Sequence, residues 1–289
     1  MRGNVLLIGE LISNGGLGLM GDLITVTSLG SNPVLAVGMV STLRTPLNRA
    51  FRVMDTDYLI QQMRDGKKKP GYQSIKIGAL GSEEMVEAIA DEIKCDKINE
   101  PIVYCPIVCS DMGAPLLDAM GIQKVQTCLI PLVDVLILNV YDAEILTGIT
   151  IPGREEMEVA AKRLRDFGAK AVLITGGLLG GSELYDVFLD DRGLKVMTFQ
   201  KHEAHLENPY RFGGAWILAT AVAAGLAQNL PMMEAINQAR QYVDKAIAKA
   251  TNSDGKYQHL FLTHTISHFE YQPDCAAYNL ITSNAVAGM

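Results

Sequence analysis

The residues best suited to chemistry in this chain are the glycines that precede an alanine-rich helix in its last third. Phe212-Gly213-Gly214-Ala215-Trp216 is followed by small apolar residues from Ile217 to Gln228. Glycines at the start of a buried helix leave backbone N–H groups free to donate to an anion, and the helix dipole favours negative charge there. Gly213, Gly214 and Ala215 are therefore predicted to form an anion hole that suits a phosphate group in transfer.

Transfer of a phosphate to an alcohol also calls for a proton acceptor beside that hole. An acid or a cysteine is the usual choice at its edge. The sequence places Ala215 and Trp216 there instead. An indole donates a hydrogen bond and accepts none, so this segment predicts a phosphate site without a base at the expected position.

A second polar loop follows the predicted strand Val135–Leu138. It has the sequence Asn139-Val140-Tyr141-Asp142-Ala143-Glu144. An amide and two carboxylates at a strand end could hold magnesium through water near phosphates, with Asp142 as the candidate ligand. The same pattern is equally typical of a helix N-cap followed by acids in the first turn.

Two glycine-rich loops also follow predicted strands. Thr175-Gly176-Gly177 could pass close to a nucleotide phosphate, or could simply connect its strand to a hairpin. Gly15-Gly16-Leu17-Gly18 could allow close approach of a ligand, or could only serve a turn. In open parallel sheets ligands bind beyond the carboxyl ends of the strands, where these loops would lie.

Predicted strands and helices alternate along the chain and must position these loops. Short apolar runs that alternate with amphipathic segments predict right-handed crossovers and a three-layer α/β/α fold with a mainly parallel sheet. The predicted strands are Val5–Ile8, Val34–Val37, Ser74–Ile77, Ile102–Tyr104, Val135–Leu138 and Ala171–Ile174. The predicted helices are Leu17–Ser28, Thr56–Met63, Ser82–Ile93, Gln123–Leu129 and Arg154–Phe167.

The alternation of predicted strands and helices ends after Ile174. Tyr185–Leu189 and Lys195–Phe199 flank Asp190-Asp191-Arg192-Gly193, which predicts a hairpin. Two further helices are predicted at Gly214–Gln228 and Met232–Ala250. We expect one domain over residues 1–250 and a C-terminal extension over residues 251–289, packed on the domain or swapped between subunits.

Composition excludes several classes of protein. The 289 residues are 48% hydrophobic and 20% charged, as in an ordinary globular domain. A net charge of -7 argues against binding to nucleic acid or to anionic membranes. The apolar run Val5–Ile8 is too short for a membrane span or signal peptide, and the five cysteines form no CxxC pair. We expect a cytoplasmic protein with reduced thiols.

Taken in order, these loops resemble the hydroxymethylpyrimidine/phosphomethylpyrimidine kinases of thiamine synthesis, in the ribokinase superfamily that also holds pyridoxal kinases. The resemblance runs from about Val5 to Ala250. The segments that carry it are Gly15-Gly16-Leu17-Gly18 with Asp22-Leu23, Ile75-Lys76-Ile77-Gly78-Ala79-Leu80, Pro106 to Gly113 with Pro115-Leu116-Leu117, Asn139 to Glu144, Thr175-Gly176-Gly177, and Ala221 to Ala227.

The resemblance implies ATP and Mg²⁺ as cofactors and a homodimer as the assembly. It implies two sets of site residues. On the nucleotide side these are Asn139, Asp142, Thr175, Gly176 and Gly177. On the substrate side they are Gly9, Gly15, Gly16, Gly18, Ala79 and Cys105.

The departures from the family pattern fall on polar groups. Trp216 stands where the family has a cysteine, or its relatives an aspartate, as base. The other polar family positions are changed at Ile12, Pro46-Leu47, Cys105, Asp111 and Thr175.

Three interpretations remain open. The pattern favours a noncatalytic or repurposed homologue that binds a small molecule, a nucleotide or a protein partner. One alternative is an active ATP-dependent kinase of hydroxymethylpyrimidine, pyridoxal or a similar vitamin alcohol. The other is an assembly protein that uses the fold as a rigid surface.

Association is expected in any case, because the first predicted helix is apolar on several sides. Its apolar residues are Leu17, Leu19, Met20, Leu23 and Ile24.

Overall fold

A computed structural model describes residues 3–12, 17–45, 48–109, 115–179, 183–200, 214–248, 251–253 and 257–259. Within these ranges nine strands form one sheet. They are β1 (Asn4–Ile12), β2 (Asn32–Thr45), β3 (Asn48–Val53), β4 (Ser74–Ile77), β5 (Ile102–Tyr104), β6 (Val135–Asn139), β7 (Val172–Thr175), β8 (Glu183–Asp190) and β9 (Gly193–Gln200).

The centre of the sheet is parallel and both of its ends are antiparallel. The strand order is β3-β2-β1-β4-β5-β6-β7-β8-β9. Strands β2 to β7 in that order run parallel, whereas β3 pairs antiparallel with β2 and the β8–β9 hairpin pairs antiparallel with β7. The predicted mainly parallel sheet and the predicted hairpin are confirmed.

Helices cover both faces of the sheet, which confirms the predicted three layers. They are α1 (Gly18–Ser28), α2 (Thr56–Lys67), α3 (Glu83–Cys95), α4 (Ala119–Lys124), α5 (Val140–Thr147), α6 (Arg154–Asp166), α7 (Gly214–Ala227) and α8 (Met232–Ala248). Helices α1, α7 and α8 contribute to the apolar core on one face, and α2, α3, α5 and α6 to that on the other.

The sheet has an apolar core on each face, because successive side chains of a strand point to opposite faces and both faces of the central strands are buried. In β1, Leu6 and Ile8 belong to one core, while Val5 and Leu7 belong to the other. Runs of apolar residues without polar alternation are expected of central parallel strands. The residue pattern visible in the sequence therefore accounts for the position of β1 in the middle of the sheet.

The sequence prediction missed the hairpin formed by β2 and β3. The predicted strand Val34–Val37 is only the first part of β2, which continues for fourteen residues. A bulge places Gly38 between the residues of β2 that pair with Gly9 and Glu10. Bulges bend a strand and increase its twist. Beyond the bulge, Met39 to Ser41 still pair with β1 and also pair with β3 on their other edge.

The other helices differ from the prediction mainly in their limits. The segment expected as a helix from Gln123 to Leu129 is instead the end of α4 followed by a π-helical turn at Val125–Leu129 and a 3-10 turn at Ile130–Leu132.

After α8, β10 (Thr251–Ser253) pairs antiparallel with β11 (Tyr257–His259). The proposed division at residue 250 stays a prediction. In the described part of the chain, no helix has both the length and the apolar character that a membrane span requires.

Candidate functional site

The start of α7 lies at the carboxyl ends of the central strands. Its far end is close to the amino ends of β1 and β4, because a Cβ on Gly3 would lie 2.1 Å from the Ala227 carbonyl oxygen and the Ser74 hydroxyl donates to the Ala223 carbonyl over 2.7 Å. The helix packs across β1, β4, β5 and β6. Its N–H groups therefore point to the sheet edge where ligands bind in such folds.

The predicted anion hole is described in part. Gly213 lies outside the described residues. Gly214 is the first residue of α7, and no described heavy atom comes within 4 Å of where its Cβ would be. Ala215 is buried, and Trp216 is half-buried against the α7 core. Trp216 is thus only partly covered, and the anion hole itself stays a prediction.

The substrate-side candidates lie where β1 and β4 end. Gly15 and Gly16 are outside the described residues. A Cβ on Gly9 would lie 3.7 Å from Gly78 and 3.8 Å from Ala79, which is ordinary contact, so Gly9 of β1 lies beside the residues that follow β4. Gly18 has a φ of +55°, and a Cβ there would lie 2.4 Å from the Glu10 carbonyl oxygen. Only glycine fits both that conformation and that approach.

An apolar cluster lies beside these strand ends. Met39 of β2, Ala79 and Leu116 are buried together, and Phe51 of β3 and Ile107 pack against them. Since Met39 and Phe51 come from the β2–β3 hairpin, the hairpin covers this part of the edge. Neither residue was predicted to lie at the site, because the hairpin itself was not predicted.

Cys105 follows β5 and is buried. Burial raises the pKa of its thiol to about 12, although the nearby Lys76 ammonium opposes the shift. The group is therefore a neutral thiol at pH 7. It can pack or donate weakly there, and it does not act as a proton acceptor.

Asn139 and Asp142 form the helix cap that was one of the two alternatives for this loop. The Asn139 side-chain oxygen accepts from the Asp142 N–H over 2.9 Å, and its amide donates to Asp142 Oδ2 over 2.7 Å. Asp142 Oδ1 accepts from the Val108 N–H over 3.3 Å. The buried carboxylate thus fastens α5 to the segment after β5.

Thr175 and Gly176 lie directly beside Asn139. Thr175 pairs with Asn139 where β7 and β6 end. The Gly176 N–H is 3.0 Å from the Tyr185 carbonyl oxygen and 3.2 Å from Asp186 Oδ1. The structure therefore brings three predicted nucleotide-side residues to one edge, with Gly177 next along the chain.

Two charged residues behind this turn were not predicted. Asp186 and Arg240 are both buried, with Arg240 Nη1 3.5 Å from Asp186 Oδ2. Burial raises the pKa of Asp186, and Arg240 and the Gly176 N–H oppose that shift. Arg240 also stacks on Phe199, with 4.2 Å between its guanidinium carbon and the ring centroid. This pair links α8 to the strand beside the turn.

A second buried ion pair lies under α7. Lys76 Nζ is 2.7 Å from Asp22 Oδ2, and the Thr220 hydroxyl contacts Asp22 Oδ1. The only signal in the sequence was a lysine inside the apolar run Ser74–Ile77. Such a residue indicates a buried partner, but it does not say which one.

The described residues contain no group of three His, Cys, Asp or Glu side chains arranged to hold a metal. Magnesium held mainly by phosphates and water needs no such group. Asp142 is the carboxylate among the predicted nucleotide-side residues, and its contacts are those of a structural cap.

Known proteins are similar to this chain over most of its length. A family model described as phosphomethylpyrimidine kinase matches residues 13–260. The hydroxymethylpyrimidine/phosphomethylpyrimidine kinase of Rhizobium meliloti is 30% identical over 82% of this chain and 88% of its own length. That of Haemophilus influenzae is 30% identical over 86% of this chain and 92% of its own length.

Solved structures share the fold. An ADP complex of Bacillus subtilis pyridoxal kinase has a TM-score of 0.80 at 24% identity, covering 90% of this chain and 97% of its own. Phosphomethylpyrimidine kinase from Clostridium difficile has a TM-score of 0.73 at 24% identity, covering 85% and 100% respectively. Together with the match over residues 13–260, these comparisons show that the chain belongs to the phosphomethylpyrimidine kinase family.

Proposed function

We propose that the chain is an ATP-dependent kinase that phosphorylates the hydroxymethyl group of a substituted pyrimidine or of a pyridoxal-like ring. The observation that carries this proposal is the 30% identity to curated hydroxymethylpyrimidine/phosphomethylpyrimidine kinases over more than four fifths of both chains. This is the kinase alternative from the sequence, and the relatives favour it over a noncatalytic protein.

The arrangement of the strand ends supports the proposal. Asn139, Thr175 and Gly176 form one group, suited to a nucleotide. Gly9 and Ala79 form another group beside the apolar cluster, suited to a flat ring. The first turn of α7 lies at the same edge, where its N–H groups would hold the phosphate being transferred.

We expect turnover to be slow, because the usual base position is Trp216. A positioned base contributes about 10²–10⁴-fold, and the Cys105 thiol does not replace it at pH 7. The proton of the substrate hydroxyl would then leave to water or to another group. Positioning and charge stabilisation supply most of the catalysis in phosphoryl transfer, so a slow reaction remains compatible with this site.

A second candidate function is noncatalytic binding of a nucleotide or small molecule. The observation that favours it is Trp216 in the first turn of α7, half-buried and unable to accept a proton. Under this hypothesis the fold and the nucleotide side are kept, and the reaction is lost.

Calorimetry and a product assay distinguish the candidates. Protein is titrated with MgATP, ADP, hydroxymethylpyrimidine and pyridoxal, and phosphorylated product is measured by mass spectrometry over hours. Slow product formation supports the kinase. Binding without product supports the noncatalytic protein. If no ligand binds and no product forms, an assembly role is favoured.

A double variant makes the test sharper. Trp216→Cys with Ala215→Gly restores the family residues at both positions, so transfer is expected to rise at least tenfold in a slow kinase. Trp216→Ala serves as the control, since it removes the indole without adding a thiol. Equal rates in both variants would contradict the role given to position 216.

A further inference from the structure

We propose that Lys76, Asp22 and Thr220 form a connector that positions the first turn of α7, and with it the N–H groups of Gly214 and Ala215. These three are positioning residues: they act through α7 and do not contact the reacting groups. The connection to phosphate binding rests on the proposed function, whereas the control of α7 itself does not.

The connector joins three elements inside the core. Lys76 of β4 and Asp22 of α1 have side chains only 3% and 1% exposed, with 2.7 Å between Nζ and Oδ2. The Thr220 hydroxyl of α7 reaches the other oxygen of Asp22 and lies 2.8 Å from the Trp216 carbonyl oxygen. A Cβ on Gly78 would lie 3.0 Å from Lys76 Nζ, so the glycine leaves room for the ammonium.

Stability alone does not account for these charges. Desolvation of a buried ion pair is costly, and apolar replacements of similar volume are often neutral or stabilising. A buried polar group can instead select one arrangement among several that pack equally well. The connector contacts α7, whose position along its axis and rotation about it must be selected in this way.

Near its start, helix α7 is held by the buried apolar side chains of Ile217 and Leu218 and by one polar contact that can fix its register. Its sequence is Gly-Ala-Trp-Ile-Leu-Ala-Thr-Ala-Val-Ala-Ala-Gly-Leu-Ala, and Thr220 is its only residue with a hydroxyl, amide or charged side chain. Alanines present shallow ridges, which specify axial position weakly. Thr220 has to meet Asp22, and this contact fixes both the rotation and the height of the helix.

The consequence for the anion hole follows from helix geometry. Thr220 lies about one turn after Ala215 and Trp216, and a slip by one residue moves the helix start by about 1.5 Å. Misplacement by about 1 Å can reduce a rate about 10²-fold. A connector one turn away from the N–H groups is therefore close enough to decide whether they meet a phosphate.

The test uses an apolar replacement of the whole pair. Asp22→Leu with Lys76→Met removes both charges together, so no buried charge is left without its partner. The matched control is Ser74→Ala, which removes the buried hydrogen bond to the Ala223 carbonyl in the second half of α7. Three quantities are measured: the thermal midpoint, the ADP dissociation constant, and the emission and acrylamide quenching of Trp216, which is the only tryptophan in the sequence.

We expect the double variant to keep a thermal midpoint near that of the parent protein, to change the Trp216 emission and quenching, and to weaken ADP binding at least tenfold. Ser74→Ala is expected to lower the midpoint and to leave the Trp216 signal and ADP binding as they are. A folded double variant with the parent's Trp216 signal would overturn the proposal.

Thr220 supplies a second test in case the double variant does not fold. Thr220→Val keeps the shape and removes the hydroxyl, whereas Thr220→Ser keeps the hydroxyl. The Trp216 signal should change in Thr220→Val and match that of the parent in Thr220→Ser, and identical signals in the two variants would overturn the proposal. If the parent itself does not bind ADP, the proposed function fails, and the Trp216 comparison still decides the connector.

Discussion

Gly176 and Gly177 are neighbours in the chain but have very different surroundings. A Cβ on Gly176 would lie 2.2 Å from the Tyr185 carbonyl oxygen, whereas no described heavy atom lies within 4 Å of a Cβ on Gly177. The first glycine is required because β7 and β8 approach closely at this turn. A side chain at the second glycine would meet no steric conflict with the described residues.

This difference gives a matched pair of variants. Gly176→Ala is expected to lower the free energy of unfolding by about 1–3 kcal/mol, as overpacking does, and to weaken ADP binding because the turn must shift. Gly177→Ala is expected to change stability by less than about 0.5 kcal/mol. Urea unfolding and calorimetry measure both quantities, and equal destabilisation would show that the close approach is not limiting.

The buried thiol of Cys105 gives a prediction about pH. Its pKa is about 12 in the folded protein, against an ordinary value of 9.0. The unfolded chain therefore releases this proton first, so the thiol contributes stability below pH 9 that is lost as the pH rises toward 12. The free energy of unfolding of Cys105→Val should fall less over that range than that of the parent.

Alkylation checks the same property directly. At pH 8, iodoacetamide is expected to modify the exposed Cys95 and to leave Cys105 intact until urea unfolds the chain. Mass spectrometry of peptides measures both sites. Rapid modification of Cys105 in the folded protein would contradict the burial on which this prediction depends.

At the scale of elements, the cap of α5 differs from an ordinary helix cap. Ser82 caps α3 through one hydrogen bond, from the Met85 N–H over 3.2 Å. Asn139 caps α5 and also donates to Asp142, which in turn accepts from Val108 after β5. Asn139 therefore supports the arrangement of two strand ends as well as one helix.

Replacing the two caps separates these roles. Ser82→Ala and Asn139→Ala should each lower the free energy of unfolding by about 1 kcal/mol, the usual effect of losing a cap. Only Asn139→Ala should also weaken ADP binding, because Asn139 pairs with Thr175 and its amide holds Asp142, the acceptor of the Val108 N–H. Similar ADP affinity in both variants would assign Asn139 to the helix alone.

The elements that could be predicted from the sequence are those with an unambiguous local pattern. Ser74–Ile77 and Ile102–Tyr104 are strands with the predicted limits, because apolar runs of this kind fit a sheet buried on both faces. The β2–β3 hairpin was missed because β3, with the sequence Asn-Arg-Ala-Phe-Arg-Val, has neither an apolar run nor a regular alternation of apolar and polar residues.

The candidate site was predictable to a similar extent. The loops at the carboxyl ends were found because their glycines and polar residues follow apolar runs. The ion pairs of Lys76 with Asp22 and of Asp186 with Arg240 were not, because each joins residues 54 positions apart in the chain. A buried charge in a sequence indicates a partner, and only the fold identifies it.

At the scale of the whole molecule, exposed apolar side chains support the predicted homodimer. Met20 of α1 and Leu35 and Val40 of β2 are exposed. Leu35 lies on the same face of β2 as Val37, two residues later, and Val37 packs in the same core as Ile24 of α1. Met20 and Leu35 therefore belong to the same side of the sheet, where a second copy could cover them.

Light scattering tests this association. The parent at micromolar concentration is expected to show twice the 31.4 kDa chain mass. Met20→Glu with Leu35→Glu should return the monomer mass, because burying two carboxylates in an interface is unfavourable. Tyr58→Glu, at an exposed residue of α2 on the other face, is the control and should stay dimeric. A parent protein of monomer mass would remove the prediction.

The close approach of Gly3 to Ala227 also has a consequence for how the chain is made. The face of β1 that carries Val5 and Leu7 is shared by α1, which is synthesised next, and by α7, which follows more than 200 positions later. At about 5–20 residues per second, a nascent chain carries this partly covered apolar strand for about 10–40 s. Chains that stop before Gly214 should therefore aggregate or remain bound to chaperones, however well the first half of the sheet can pair.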